Sequence, residues 1–270
     1  MKELRKAATV ILARPARNGL EIYLTRRSAR SAFAPDAYVF PGGTVDAADG
    51  SEQALARTIG LQAERLSAQF SAVSPRELPN PLPPLDLVQA RAVSFAALRE
   101  LFEEAGVLVV CRADGTTVDA QMLGAPALHE ERMRVCDGTL PFAAFLERHD
   151  WYADARALTL FSHWITPESE PRRYDTYFFV ATVTADRAAR ADAVETHDGI
   201  WAAPATALAR FHAGDLHLVY PTIKHLERLR AFASVEDLAA FAARKPILTI
   251  LPTASPAEGF EMPAALEGVW

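Results

Sequence analysis

Three glutamates, Glu100, Glu103 and Glu104, fall within one stretch of five residues. Wound on an α-helix, they share an arc of about 100°. Phe95, Leu98, Leu101, Phe102 and Ala105 take the opposite side, and Ala96 and Ala97, one turn earlier, are too small to crowd the acidic face. Like charges at this spacing destabilise a helix, so something positive should compensate. A hard divalent cation suits the role, because Mg²⁺ takes a few carboxylate oxygens and keeps several waters. The plain alternative is a solvated acidic helix face.

The elements that must position these carboxylates are legible on either side. Helical periodicity runs over about residues 86–105, and Gly106 supplies a stop. Upstream, residues 9–13 and 20–25 are apolar or β-branched runs around Asn18 and Gly19, a hairpin signal. Residues 38–40 form a third short strand, stopped by Pro41, Gly42 and Gly43, where a tight turn calls for positive φ or close backbone approach. A helix is expected over about residues 52–70, then a proline-rich extended loop from Pro75 to Pro84. Further strands are expected at 107–111, 158–165, 174–183, 200–201 and 247–251. Helices are expected at 129–135, 141–149, 204–211, 220–232 and 235–243, with an irregular tail after residue 251.

Composition narrows the function classes. The chain has 270 residues, 50% of them hydrophobic, and a net charge of −6. That is ordinary for a globular domain with a large core. The acidic balance argues against a nucleic-acid partner, although a metal or a local arginine cluster can still draw in an anionic substrate. Cys111 and Cys136 form neither a metal-ligand spacing nor a disulfide framework. No apolar run is long enough to span a membrane. The short apolar run after Lys2, Arg5 and Lys6 reads as a first strand rather than a signal peptide, and Gly268, Val269 and Trp270 spell no targeting address. The expected location is cytoplasmic.

Arg99-Glu100-Leu101-Phe102-Glu103-Glu104-Ala105-Gly106-Val107, preceded by Phe40-Pro41-Gly42-Gly43, resembles the box of the Nudix hydrolase family. Gly43 opens the box, and residues 99–107 match its second half at every specified position. The match departs in two ways. Asp49 stands where the box has Glu, and 49 residues separate it from Arg99 where the box has seven. An interrupted box of this kind resembles the branch of the mammalian peroxisomal coenzyme A diphosphatase. Trp164-Ile165-Thr166-Pro167, Arg172 to Thr176, Phe178, Phe179, Glu195, Trp201, Pro221 and Thr222 are similar to that branch as well.

The resemblance implies a Nudix-type α/β/α sandwich, of α/β (α+β) class, with a mixed sheet. It would occupy the whole chain, 1–270, as one domain. Additions are expected at about 50–86, which would cap the site, and at about 113–150, with a C-terminal helical extension at about 204–270. The implied activity is a metal-dependent pyrophosphohydrolase, in which water attacks the phosphorus of a nucleoside diphosphate linked to another moiety. Glu100, Glu103 and Glu104 would hold Mg²⁺ or Mn²⁺, and Glu103, Glu100 and Glu195 are the catalytic candidates, with His197 close to the last. Gly42, Gly43, Asp49, Arg99 and Gly106 would be structural, Arg99 bracing the loop by pairing with Asp49. Arg26, Arg27, Arg172 and Arg173 are candidates for gripping phosphate, because guanidinium forks match phosphate oxygens.

Arg27 stands out among them. Leu24, Thr25, Arg27, Ser28 and Phe40 to Gly43 keep the spacing of a coenzyme A-specific Nudix signature, although Ala32 replaces its second Arg and Asp36 its Gly. Coenzyme A or acyl-coenzyme A is therefore one substrate in view, beside ADP-ribose, NADH and dinucleoside polyphosphates. A catalytically silent nucleotide-binding sensor of the same fold is the alternative class. Its discriminating feature, loss of the carboxylates, is not seen here. A homodimer is the partner expectation.

Overall fold

A computed structural model of the chain describes residues 4–29, 34–71, 73–74, 84–123, 126–185, 196–255 and 259–270. The chain starts with a long strand, β1 (Leu4–Ala16), that turns into β2 (Gly19–Arg27). The turn residues are Arg17 and Asn18, and Gly19 enters β2 at φ +115°, a conformation that glycine adopts without penalty. Short strands β3 (Tyr38–Val39) and β4 (Gly42–Thr44) follow, the latter lying antiparallel on β1 with Ala8 opposite Gly43.

The 52–70 segment is not one helix. It divides into α1 (Glu52–Ala56), a short strand β5 (Thr58–Ile59) and α2 (Ala63–Ser71). The break centres on Gly60 at φ +91°, where a Cβ would stand 2.7 Å from the Arg156 backbone nitrogen. Strand β6 (Val73–Ser74) follows within the insertion, and most of the proline run lies outside the described residues.

Next comes α3 (Leu87–Ala105), the helix of the three glutamates. Its start is a reciprocal cap. The Gln89 N–H donates to Asp86 Oδ1 at 2.8 Å, and the Asp86 N–H donates back to the Gln89 side chain. Its end is Gly106, left-handed at φ 64°. Beyond it lie β7 (Val110–Cys111), α4 (Ala120–Leu123), α5 (Pro126–Cys136), α6 (Phe142–Arg148) and β8 (Tyr152–Asp154).

Two long strands, β9 (Thr159–Ile165) and β10 (Arg173–Thr182), return to the main sheet. Then β11 (Thr196–Ala202) extends the expected 200–201 strand back over the position of His197. Helices α7 (Pro204–His212), α8 (Tyr220–Leu229) and α9 (Val235–Ala242) follow, and after them β12 (Ile247–Ile250). The tail is not irregular: β13 (Thr253–Ser255) pairs with β14 (Gly259–Glu261), and Met262, Leu266 and Trp270 are buried behind them.

The main sheet runs β11-β2-β1-β10-β9-β12-β6, with β3 on β2 and β4 on β1. It is mixed, since β1 lies parallel to β10 and antiparallel to β2. Strand alternation splits the core into two layers. Ala8, Val10 and Leu12 of β1 face α3, α5 and α6, while Ile11 and Ala13 face α7, α8, α9 and the C-terminal tail. This is the α/β/α sandwich that the sequence implied.

The described helix α2 of the insertion packs away from the acidic end of α3. Leu66 and Phe70 of α2 pack near Leu87 and Ala90, at the helix's N-terminal end. That is about 15 Å or more from Glu100 at 1.5 Å per residue. Through β6, which pairs with β12, the insertion instead extends the far edge of the sheet.

Candidate active site

Main-chain geometry sets the glycines first. At Gly42 a Cβ would lie 2.5 Å from the Ala8 carbonyl oxygen and 2.6 Å from the Thr9 Cα. At Gly43 it would lie 2.5 Å from Glu100 Oε1. Neither glycine has positive φ among the backbone exceptions, so close approach is the reason for both. The Gly42 N–H donates to Glu104 Oε2 at 2.8 Å. The loop thus receives two of the three glutamates directly on its backbone.

Arg99 organises the rest. Its Nε and Nη2 donate to the two oxygens of Asp49 at 2.8 and 2.9 Å, and Nη2 also donates to the Thr44 carbonyl at 2.9 Å. Its Nη1 bridges Glu100 Oε1 and Glu103 Oε2, both at 2.8 Å. Asp49 is held in turn by the Asp46 N–H at 2.8 Å. The side chain of Asp49 is 1% exposed and that of Arg99 11%, which makes this a buried, bidentate pair. Burial alone would lower the affinity of Arg99 for its proton, but the bonds to Asp49, Glu100 and Glu103 outweigh it and hold the guanidinium charged. Burial and the Glu100 carboxylate push Glu103 up to about 8 against the pull of Arg99.

A contact from outside the box completes the helix end. Buried Arg132, on α5, donates Nη2 and Nε to the Glu103 carbonyl oxygen at 2.7 and 3.2 Å. Its guanidinium also fills the space beside Gly106, where a Cβ would stand 2.7 Å from Nη1. A cation on the C-terminal carbonyls of a helix is favourable, but no spacing in the sequence tied Arg132 to this helix.

Asp49, Glu100 and Glu103 share the Arg99 guanidinium and Glu104 lies on the Gly42 N–H, and an all-oxygen donor set suits a divalent, hard cation. The glycine cradle at 42–43 keeps two of those carboxylates against the loop. The residues fit such an ion. As the side chains stand, Glu104 turns to Gly42 and Glu100 and Glu103 turn to Arg99, and among the described residues no three His, Cys, Asp or Glu side chains converge into a ready cluster.

These residues open on a cavity of about 800 Å³. Arg27 lines it, whereas Arg26 is engaged with Asp36 at 2.9 Å. Asp36, where the coenzyme A signature has Gly, sits at φ 61°, the conformation a glycine would favour and one that Asp tolerates. Arg172 is exposed and Arg173 donates to the Thr166 carbonyl at 3.0 Å, and neither lines the cavity. Glu195 lies outside the described residues. The similar segments beyond the box do converge here, since Trp164 to Pro167, Tyr174, Thr176, Pro221 and Thr222 all line the wall. Among the described residues the insertion contributes Ser51 and Gln53, while seven residues between 135 and 143 of the second addition line the cavity.

The chain is similar to known proteins over most of its length. A family model described as the NUDT19 Nudix domain matches residues 4–229. The acyl-coenzyme A diphosphatase NUDT19 of Gallus gallus is 32% identical over 282 residues, covering 92% of this chain and 73% of that protein. The Homo sapiens protein of the same name is 30% identical over 271 residues, covering 88% and 71%. The crystal structure of a NUDIX hydrolase from Alicyclobacillus acidocaldarius superposes with a TM-score of 0.68 at 27% identity, covering 89% of this chain and 97% of that one.

Proposed function

The chain belongs to the NUDT19 Nudix domain family and is a Nudix hydrolase, and on that premise we propose that it cleaves the diphosphate of coenzyme A or an acyl-coenzyme A with a divalent cation held by Glu100, Glu103 and Glu104. The observation that carries this reading is the joining of Asp49 to Arg99 across the insertion, which closes an interrupted box into one site. The names of the chicken and human relatives support the substrate class. So does Arg27, which lines the cavity at the signature's spacing.

When bound, a divalent cation, Mg²⁺ or Mn²⁺, neutralises the diphosphate and lowers the pKa of attacking water. The residues of the chain supply position. The Gly42 N–H orients Glu104, and the Arg99 fork holds Glu100 and Glu103 on one side and Asp49 on the other. Arg132 fixes the backbone under Glu103. In phosphoryl transfer, such positioning and charge stabilisation do most of the work. Arg27 offers a guanidinium to a phosphate oxygen, and Glu100 or Glu103 takes the proton of the water. We read residues 1–270 as one catalytic domain, with the second addition rather than the insertion beside the substrate.

The test is product analysis of the purified chain with coenzyme A, acyl-coenzyme A, NADH, ADP-ribose and dinucleoside polyphosphates, each with Mg²⁺ or Mn²⁺. Release of a 3′,5′-ADP half and a 4′-phosphopantetheine half at the highest kcat/KM supports the reading. Preference for another member of the panel refutes the substrate, and no turnover on any of them supports the silent sensor instead.

A further inference from the structure

The catalytic cavity has two walls of different chemistry, and they belong to different layers of the sandwich. One is built by the second addition: Leu140, Pro141, Phe142 and Ala143. It carries no charged side chain, and Leu140, Phe142 and Ala143 belong to the core layer of α3. The wall is fixed from behind by aromatic stacking, Phe102 on Phe142 at 5.7 Å and Phe102 on Phe145 at 5.0 Å between ring centroids.

The other wall lies in the opposite layer and is aromatic. Tyr220 and Phe260, both half-buried, line the cavity with ring centroids 6.0 Å apart. Trp164 abuts Tyr220 edge-on at 6.3 Å, and Tyr220 opens α8 directly before Pro221, whose ring fixes the local backbone. Phe260 comes from the β13–β14 hairpin, beyond the residues that the family model matches. The loop at Gly42 and Gly43 and the three glutamates line the same cavity.

Resting on the proposed function, we infer that the cavity sorts the two halves of its substrate by layer. The nucleotide's base stacks on the Tyr220–Phe260 pair, and the acyl-pantetheine half runs along the wall of Leu140, Pro141, Phe142 and Ala143. A base offers a flat π-face that aromatic side chains bind in a sequence-tolerant way. An alkyl chain offers only apolar area, and an uncharged apolar wall covers it without desolvating a polar group. The diphosphate between the two halves then lies at the glutamates.

The experiment compares wild type, Phe260→Ala and Ala143→Trp with coenzyme A and with acetyl, octanoyl and palmitoyl esters. Phe260→Ala raises KM roughly tenfold by the same factor for every ester, the loss of one stacking surface, and leaves the chain-length preference as it was. Ala143→Trp lowers kcat/KM for the palmitoyl ester about tenfold more than for the acetyl ester, because a bulky ring fills the acyl path. If either variant is unfolded by circular dichroism, Phe260→Leu and Ala143→Leu take its place. The reverse pattern, or variants that alter neither quantity, overturns the assignment of the walls. A wild type that leaves the whole coenzyme A series intact overturns the proposed function, and this inference with it.

Discussion

Asp49 and Arg99 form a bidentate ion pair, Nε to Oδ1 at 2.8 Å and Nη2 to Oδ2 at 2.9 Å, although 49 residues of sequence separate them. The pair anchors the loop after Gly43 to the helix of the three glutamates. Asp49→Ala leaves a buried guanidinium short of its main partner. Breaking such pairs costs about 3 kcal/mol or more, moderated here by Glu100 and Glu103. Urea unfolding should show a loss of that order, and hydrolysis should fall with it. A stability within 0.5 kcal/mol of wild type, roughly the scale of an exposed pair, would contradict the bracing role.

Glu103→Gln keeps the shape and most of the hydrogen bonding but removes a charge. Loss of one carboxylate worth about 4 kcal/mol in the transition state lowers kcat roughly a thousandfold. The circular dichroism spectrum should stay that of wild type. Turnover close to wild type would remove Glu103 from the catalytic set.

The two glycines of the loop should respond differently to the same methyl group. At Gly42 the new Cβ meets main chain, the Ala8 carbonyl and the Thr9 Cα, which cannot give way. Gly42→Ala should therefore cost about 3 kcal/mol or fail to fold, as overpacking does. At Gly43 it meets the Glu100 carboxylate, the far end of a flexible side chain. Gly43→Ala should fold and lose activity at least tenfold. Thermal melts beside initial rates separate the two.

Acid stability should carry the mark of His225. Its Nδ1 faces the Pro221 carbonyl at 2.7 Å, so Nδ1 holds the proton and Nε2 accepts from Ser162 Oγ–H at 2.7 Å. Complete burial pushes its pKa down to about 3, against the Pro221 bond and with the help of Lys245. The folded protein thus resists a proton that the unfolded chain takes up near the ordinary value of about 6.5. This stabilisation is full above pH 6.5 and is lost as pH falls towards 3, a few kcal/mol in all. Urea midpoints at pH 7, 5 and 4 should fall steeply for wild type and less steeply for His225→Gln. Equal slopes would show that another group governs the window.

Phe70 tests the place of the insertion. It packs on Tyr177 and Phe179 under α2, at the far end of α3 from the glutamates. Phe70→Ala should cost about 3 kcal/mol as a large-to-small core change, while KM and substrate preference stay within twofold. A marked change in preference would restore the insertion to the substrate's side.

Much of this was legible in the chain. The helix of Glu100, Glu103 and Glu104, its start at Asp86 and its stop at Gly106 follow from periodicity and capping, which are local. So does the hairpin at Asn18 and Gly19. The break in the helix drawn over 52–70 was not legible, because Gly60 breaks it for a packing reason, the approach of Arg156, which follows the strand that β5 pairs with. The tail read as irregular was missed for a related reason: Met262, Leu266 and Trp270 are buried by joining a core layer built from distant elements, with Trp270 against Trp164 and His225.

By itself, the sequence determined which groups carry chemistry, since residue type and helical spacing put three carboxylates on one face whatever lies around them. Only the tertiary structure decided what those groups touch. It brought Asp49 to Arg99, set Arg132 under Glu103, left Arg172 and Arg173 off the cavity, and put residues of the second addition along its wall. The physical reason is that spacing acts through a few residues of backbone. A contact across fifty residues depends instead on how two layers of side chains pack against one sheet.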